Sequence, residues 1–158
     1  MKKLSKKHVI LMVSIGFLMS LGLWTVWGNT ALEINEYTIV SDEIRQDFDD
    51  FRIAQISDLH NDEFGEDNEK LVRLLSRSSP DMIVITGDLI DSRHTNIGIA
   101  LEFVQQAMKL APVYYVSGNH ESRVLEYKAL KTGLIEAGVV ILENQKVRIT
   151  RNGRISPS

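Results

Sequence analysis

Three short clusters in this sequence carry the residue types of a metal centre. They are Asp58-Leu59-His60, then Gly87-Asp88-Leu89-Ile90-Asp91, then Gly118-Asn119-His120-Glu121. Carboxylate, imidazole and amide oxygen are hard or borderline ligands. They suit Mn, Fe, Zn or Mg better than copper or an iron–sulfur cluster. Two such ions about 3.5–4 Å apart can clamp the attacking and leaving oxygens of an in-line displacement at phosphorus. One carboxylate must then bridge the pair, and Asp88, in the middle cluster, is the natural bridge. Asp58 and His60 alternate along their loop, so both are expected to face one ion. Asn119 offers a neutral oxygen to the second ion. His120, beside it, either stabilises the charged phosphoryl oxygens or protonates the leaving group.

The spacing names the elements that must hold these groups. Asp58 precedes Asp88 by 30 positions, and Asp88 precedes Asn119 by 31. A strand–helix–strand unit takes about 30 residues. Each cluster follows an apolar run, over residues 51–57, 82–86 and 113–117. The expectation is an α/β fold in which the clusters sit at the carboxyl ends of three parallel strands, the edge where ligands bind. A helix is expected over 69–77, with Leu71, Val72, Leu74 and Leu75 inward and Lys70, Arg73 and Arg77 outward. Pro80 closes it. Thr95 or Asn96 can cap a second helix reaching Leu110, with an apolar stripe of Ala100, Phe103, Val104, Ala107 and Met108. A third is expected over 123–137, with Gly138 as its C-cap. Residues 139–142 read as the next buried strand. Residues 147–150 read as another, turning at Asn152-Gly153. Partial alternation over 30–40 predicts an antiparallel strand leading into the domain.

At these residues the chain resembles the calcineurin-like metallophosphoesterases, whose motifs D-x-H, G-D-x-x-D and G-N-H-[DE] each follow a strand in this order. The lysine-rich start, the apolar segment and "FRIAQISDLHN" resemble the membrane-anchored bacterial branch of that family. The resemblance covers roughly residues 30–154 and implies a βα-repeat sheet forming one edge of the family's sandwich. It implies that Asp58, His60 and Asp88 hold a first divalent ion, that Asp88 and Asn119 hold a second, and that His120 is catalytic. Asp91 either orients a neighbouring histidine or only ties its loop. Glu121 either supports a ligand from behind or simply starts the third helix. His94 reads as a solvated loop residue, and His8 as an interfacial one. The implied substrate is a phosphate mono- or diester.

The family continues with a Gly-His and then a G-H-x-H motif. This chain has 4 histidines, and none follows His120. The domain therefore reads as an incomplete, amino-terminal half, inactive or weak by itself. The rival reading is a non-catalytic, membrane-anchored remnant that binds a metal, ligand or partner. A nucleotide-binding α/β domain is disfavoured, since no G-x-G-x-x-G or G-x-x-x-x-G-K-[ST] loop occurs.

Composition excludes other classes. A net charge of −3 and the lack of a basic stripe in the soluble part argue against a nucleic-acid partner. With Cys 0, disulfides and thiolate sites are out. Residues 9–27 form an uncharged run of 19, long enough to span a bilayer core. Lys2, Lys3, Lys6 and Lys7 precede it; Glu33 and Glu36 follow it. The positive-inside rule then sets the amino terminus in the cytoplasm and the rest outside, with Trp24 and Trp27 at the outer interface. The run is longer than a signal-peptide core, and "WGNTA" is a poor cleavage site, so an uncleaved anchor is preferred. The expected organisation is a basic segment 1–8, a transmembrane helix 9–27, a linker and leading strand 28–50, and the metallophosphoesterase domain 51–158.

Overall fold

A computed structural model of the chain describes residues 5–30, 32–151 and 154–155. Two compact units result, Met1–Glu36 and Tyr37–Ser158. In the first, α1 (Lys6–Thr30) is apolar all round, and its described side chains are exposed. Its stretch Lys6–Thr25 is long and apolar enough to cross a membrane. Lys2, Lys3, the turn at Asn152-Gly153, the tail 156–158 and the Trp27 side chain lie outside the described residues.

In the second unit, β1 (Ile53–Ile56), β2 (Met82–Ile85), β3 (Val113–Tyr115) and β4 (Val140–Ile141) form a parallel sheet in the order β1-β2-β3-β4. Between them run α2 (Glu69–Ser78), α3 (Ile97–Ala107) and α4 (Tyr127–Glu136). Three right-handed crossovers advancing in one direction lay all three helices on one sheet face. That face carries Ile83, Ile85, Val113 and Tyr115, all buried. They pack with Leu71 and Leu75 of α2, Phe103 and Val104 of α3, and Leu130 and Leu134 of α4 in the core. On the other face Ile53 is 59% exposed and Val140 37%. The chain closes with a short antiparallel pair, β5 (Thr150–Arg151) and β6 (Arg154–Ile155). Arg151 ties β5 to the start of the domain: it donates to the carbonyls of Asp47 and Asp49 and lies 5.5 Å from the Phe51 ring centre.

The parallel α/β sheet and its three helices follow the sequence expectation; several local readings do not. Residues 32–40 form no strand among the described residues, and Tyr37, Ile39 and Val40 are at least 80% exposed. Alternation alone cannot make a strand without a ladder partner. The second helix is capped by Asn96, whose side chain accepts the Gly98 N–H at 3.0 Å, and it ends at Ala107 rather than Leu110. The third begins only at Tyr127. A single 3-10 turn, Glu121–Arg123, precedes it, and Val124 is extended at φ −117. At its other end Gly138 N–H bonds Ile135 O, and Val139 N–H bonds Leu134 O, as read for a Gly C-cap. The strand expected over 147–150 forms only at Thr150–Arg151.

Candidate metal centre

The loops that leave β1 and β2 continue the sheet ladder past the strand ends. Asp58 N–H donates to Gly87 O at 3.2 Å, His60 N–H to Asp88 O at 2.9 Å, and Asn61 N–H to Leu89 O at 3.2 Å. Asp58, His60, Asn61 and Asp88 all hold left-handed backbone, at φ 57, 49, 64 and 51. This corrects the simple alternation read for Asp58 and His60: two left-handed residues, not an extended zigzag, bring their side chains round. Such backbone costs on the order of 1–3 kcal/mol per residue and persists only where the surroundings fix it. Here the inter-loop hydrogen bonds do so.

Asp58, His60 and Asp88 bring one ligand atom each to within 4.8 Å of one another. Asp58 is open to solvent and Asp88 is buried. The Ser57 hydroxyl donates to Asp58 Oδ2, and His60 Nε2 lies 3.6 Å from Asp58 Oδ1. Asp88 Oδ1 accepts the His120 N–H at 2.9 Å. The donor set, two carboxylates and an imidazole, suits a divalent ion of the Mn, Fe, Zn or Mg kind. His60 Nδ1 is buried without a hydrogen-bond partner among the described residues, a further sign of a histidine shaped for coordination.

A second set, His60, Asp91 and His120, also falls within 4.8 Å. The two imidazole rings are 4.4 Å apart, edge to face. His120 Nδ1 accepts the Ser92 N–H at 3.0 Å. A nitrogen that accepts carries no proton, so neutral His120 bears its proton on Nε2. That leaves its Nε2–H as a hydrogen-bond donor. Asp91 Oδ1 accepts from the N–H groups of Arg93 and His94. The Arg93 N–H foremost, then that of His94 and the nearby His120 and His60, hold Asp91 below the usual carboxylate range against opposing desolvation. Asp91 thus ties its loop and also lies within 4.8 Å of ring nitrogens of His60 and His120.

Asn119 is exposed, and its carbonyl accepts the Ser122 hydroxyl at 2.8 Å. His94 is exposed, as read. Glu121 is fully buried, outside both ligand sets. Its Oε2 accepts from Asp88 N–H (3.0 Å) and Gly118 N–H (2.8 Å); its Oε1 accepts from Leu89 N–H (2.7 Å) and Ile90 N–H (3.2 Å). Burial, and next the charge of Glu121, push the hydroxyl of Tyr115 far up from its ordinary value, so it stays neutral. Gly87 and Gly118 matter more than tight turning alone suggests. A Cβ on Gly87 would meet Gly118 Cα at 2.7 Å, and one on Gly118 would meet Asp88 N at 2.5 Å.

Sequence reasoning missed Asn61. Its Oδ1 accepts from Asp91 N–H (2.9 Å) and Asn96 N–H (3.2 Å), and its Nδ2 donates to Asn96 O at 2.6 Å. It stitches the first loop to the second. Its place directly after His60 is the available signal.

Residues 51–150 match the calcineurin-like phosphoesterase family. The uncharacterized metallophosphoesterase YkoQ of Bacillus subtilis is 35% identical over 102 residues, 61% of this chain and 37% of that protein. The uncharacterized metallophosphoesterase YkuE of the same organism is 41% identical over 66 residues, 40% of this chain and 23% of that protein. A Bos taurus transmembrane protein with metallophosphoesterase domain is 31% identical over 104 residues, 65% of this chain and 23% of that protein. The chain thus spans between 23% and 37% of the length of these relatives.

Proposed function

The chain belongs to the calcineurin-like phosphoesterase family, and on that premise we propose that its domain serves metal-dependent hydrolysis of a phosphate mono- or diester. The observation that carries this reading is the meeting of Asp58, His60 and Asp88, from two different loops, within 4.8 Å. These three would hold one divalent ion; Asp88 and Asn119 would serve a second. Ions bound there supply charge neutralisation and an activated water for displacement at phosphorus. His120 donates its Nε2 proton toward the phosphoryl or leaving oxygen, and the Ser92 N–H fixes the tautomer that allows it. Asp91, beside the two imidazoles, offers them a negative partner.

We place the domain outside the membrane, tethered by α1, because basic residues precede the apolar span and acidic ones follow it. The matched transmembrane relative supports a membrane setting. The domain bounds proposed are 1–8, 9–27, 28–50 and 51–158.

A second reading, binding without turnover, is favoured by one observation: Asp88 and Asn119 are a thin donor set for the second ion. Turnover of bis-p-nitrophenyl phosphate with Mn²⁺ by these 158 residues alone is therefore expected near background, while Mn²⁺ still binds. Mn²⁺ binding that survives both Asp88→Asn and His60→Ala would refute the site. Robust turnover by these residues alone would refute the reading of a weak second ion.

A further inference from the structure

We propose that Glu121 is the positioning residue of this centre, acting through backbone N–H groups and touching neither ion nor substrate. The proposal rests on the ion-binding reading of Asp58, His60 and Asp88. The loops leaving β2 and β3 lie side by side, and their buried N–H groups need acceptors, which a strand end no longer supplies. Four of them, from Asp88, Leu89, Ile90 and Gly118, converge on the single Glu121 carboxylate. Oε2 takes one N–H from each loop and so clamps the two together; Oε1 holds the next turn of the first loop.

The consequence falls on Asp88. Its N–H is fixed by Glu121, and its Oδ1 is fixed by the N–H of His120, the residue just before Glu121. Its left-handed backbone, φ 51, is thus held from both sides. One buried anion therefore sets the carboxylate that offers itself to an ion and, through the same turn, the backbone that carries His120. Only an ionised carboxylate fits. Both oxygens accept, each from two N–H groups, so a glutamine would turn its NH₂ toward two donors in either orientation. An aspartate is one methylene short.

The test pairs amide hydrogen exchange with Mn²⁺ binding by electron paramagnetic resonance, on the full chain in detergent micelles. In the wild type the amides of Asp88, Leu89, Ile90 and Gly118 should exchange as slowly as those of β2 and β3, although they lie in loops. Glu121→Gln should speed these four at least tenfold relative to the amides of β2 and β3 and raise the Mn²⁺ Kd at least tenfold. Leu134→Ala, which opens the core at a residue of α4 belonging to neither loop, should lower the melting temperature and speed the four amides only in step with those of β2 and β3, leaving Mn²⁺ affinity unchanged. Mn²⁺ affinity unchanged in Glu121→Gln overturns this proposal alone. So does an equal loss of affinity in Leu134→Ala, since the effect would then be mere destabilisation. A wild-type chain that binds no Mn²⁺ overturns the ion-binding reading and this proposal with it. Should Glu121→Gln fail to fold, the wild type decides: fast exchange at the four amides overturns the proposal.

Discussion

Gly118→Ala tests how tightly the loops that follow β2 and β3 are packed. The added Cβ would lie 2.5 Å from Asp88 N and 2.8 Å from Asp88 Cγ. Real Cβ atoms do not come so near, so one loop must retreat by on the order of half an ångström or more. Retreat is resisted, because Gly118 N–H and Asp88 N–H share Glu121 Oε2, and Asp88 Oδ1 is held by His120 N–H. Overpacking of this kind typically costs 1–3 kcal/mol; with backbone rather than a flexible side chain in the way, about 3 kcal/mol is expected. For a domain of this size that is a fall in Tm of roughly 10 °C. Mn²⁺ affinity should fall more than tenfold, since Asp88 is displaced. Gly133→Ala is the control. There the new Cβ meets the end of the Leu101 side chain at 2.7 Å, so Tm should fall while Mn²⁺ affinity holds. Thermal unfolding by circular dichroism and a Mn²⁺ titration read both. A Gly118→Ala chain with Tm within about 2 °C of wild type and unchanged Mn²⁺ affinity would refute the reasoning.

Asn61→Ala should destabilise by about 1–3 kcal/mol, because the N–H groups of Asp91 and Asn96 lose their acceptor; denaturant unfolding measures it, and a change below about 0.5 kcal/mol would show that water replaces the side chain. Glu143 is held below the ordinary glutamate range, first by Lys131 at 2.6 Å and then by the Tyr127 hydroxyl. A depressed folded-state pKa adds stability that is present above the unfolded carboxylate value and is lost as pH falls through the folded one. Lys131→Met should therefore flatten the acid side of the stability–pH curve, and an unchanged curve would remove that pair from the account. A reporter active only outside the cytoplasm, fused after residue 50, should be active under the proposed orientation, and a silent fusion with an active cytoplasmic counterpart would reverse it.

The sheet was legible because three βα units repeat near 30 residues and their strands are buried apolar runs, which survive any detail of the turns. The meeting of the candidate ligands was legible for the same reason: strand ends converge, and Asp58, His60 and Asp88 come within 4.8 Å of one another. What was not legible depends on backbone geometry that side-chain periodicity does not report. Alternation suggested how Asp58 and His60 would come together, whereas two left-handed residues bring their ligand atoms near one another. Glu121 read either as support behind a ligand or as the start of the third helix; its carboxylate turns inward to four N–H groups, and the helix begins six residues later, at Tyr127. Asn61 and Ser92 act through bonds to residues 35 and 28 positions away; only the place of Asn61 beside His60 hints at its part, and nothing local marks Ser92. The strand expected over 30–40 failed for the opposite reason: its local pattern was adequate, but no partner strand meets it among the described residues.

The central claim is that Asp58, His60 and Asp88 hold a divalent ion, and Mn²⁺ binding by the full chain beside its Asp88→Asn variant tests it most directly. The variant keeps an oxygen for the His120 N–H, so the loops should stay folded, while one negative charge leaves the ligand set. The account predicts saturable Mn²⁺ binding by the wild type and a loss of at least tenfold in affinity in Asp88→Asn. Equal affinity in the two proteins, both folded, would contradict it.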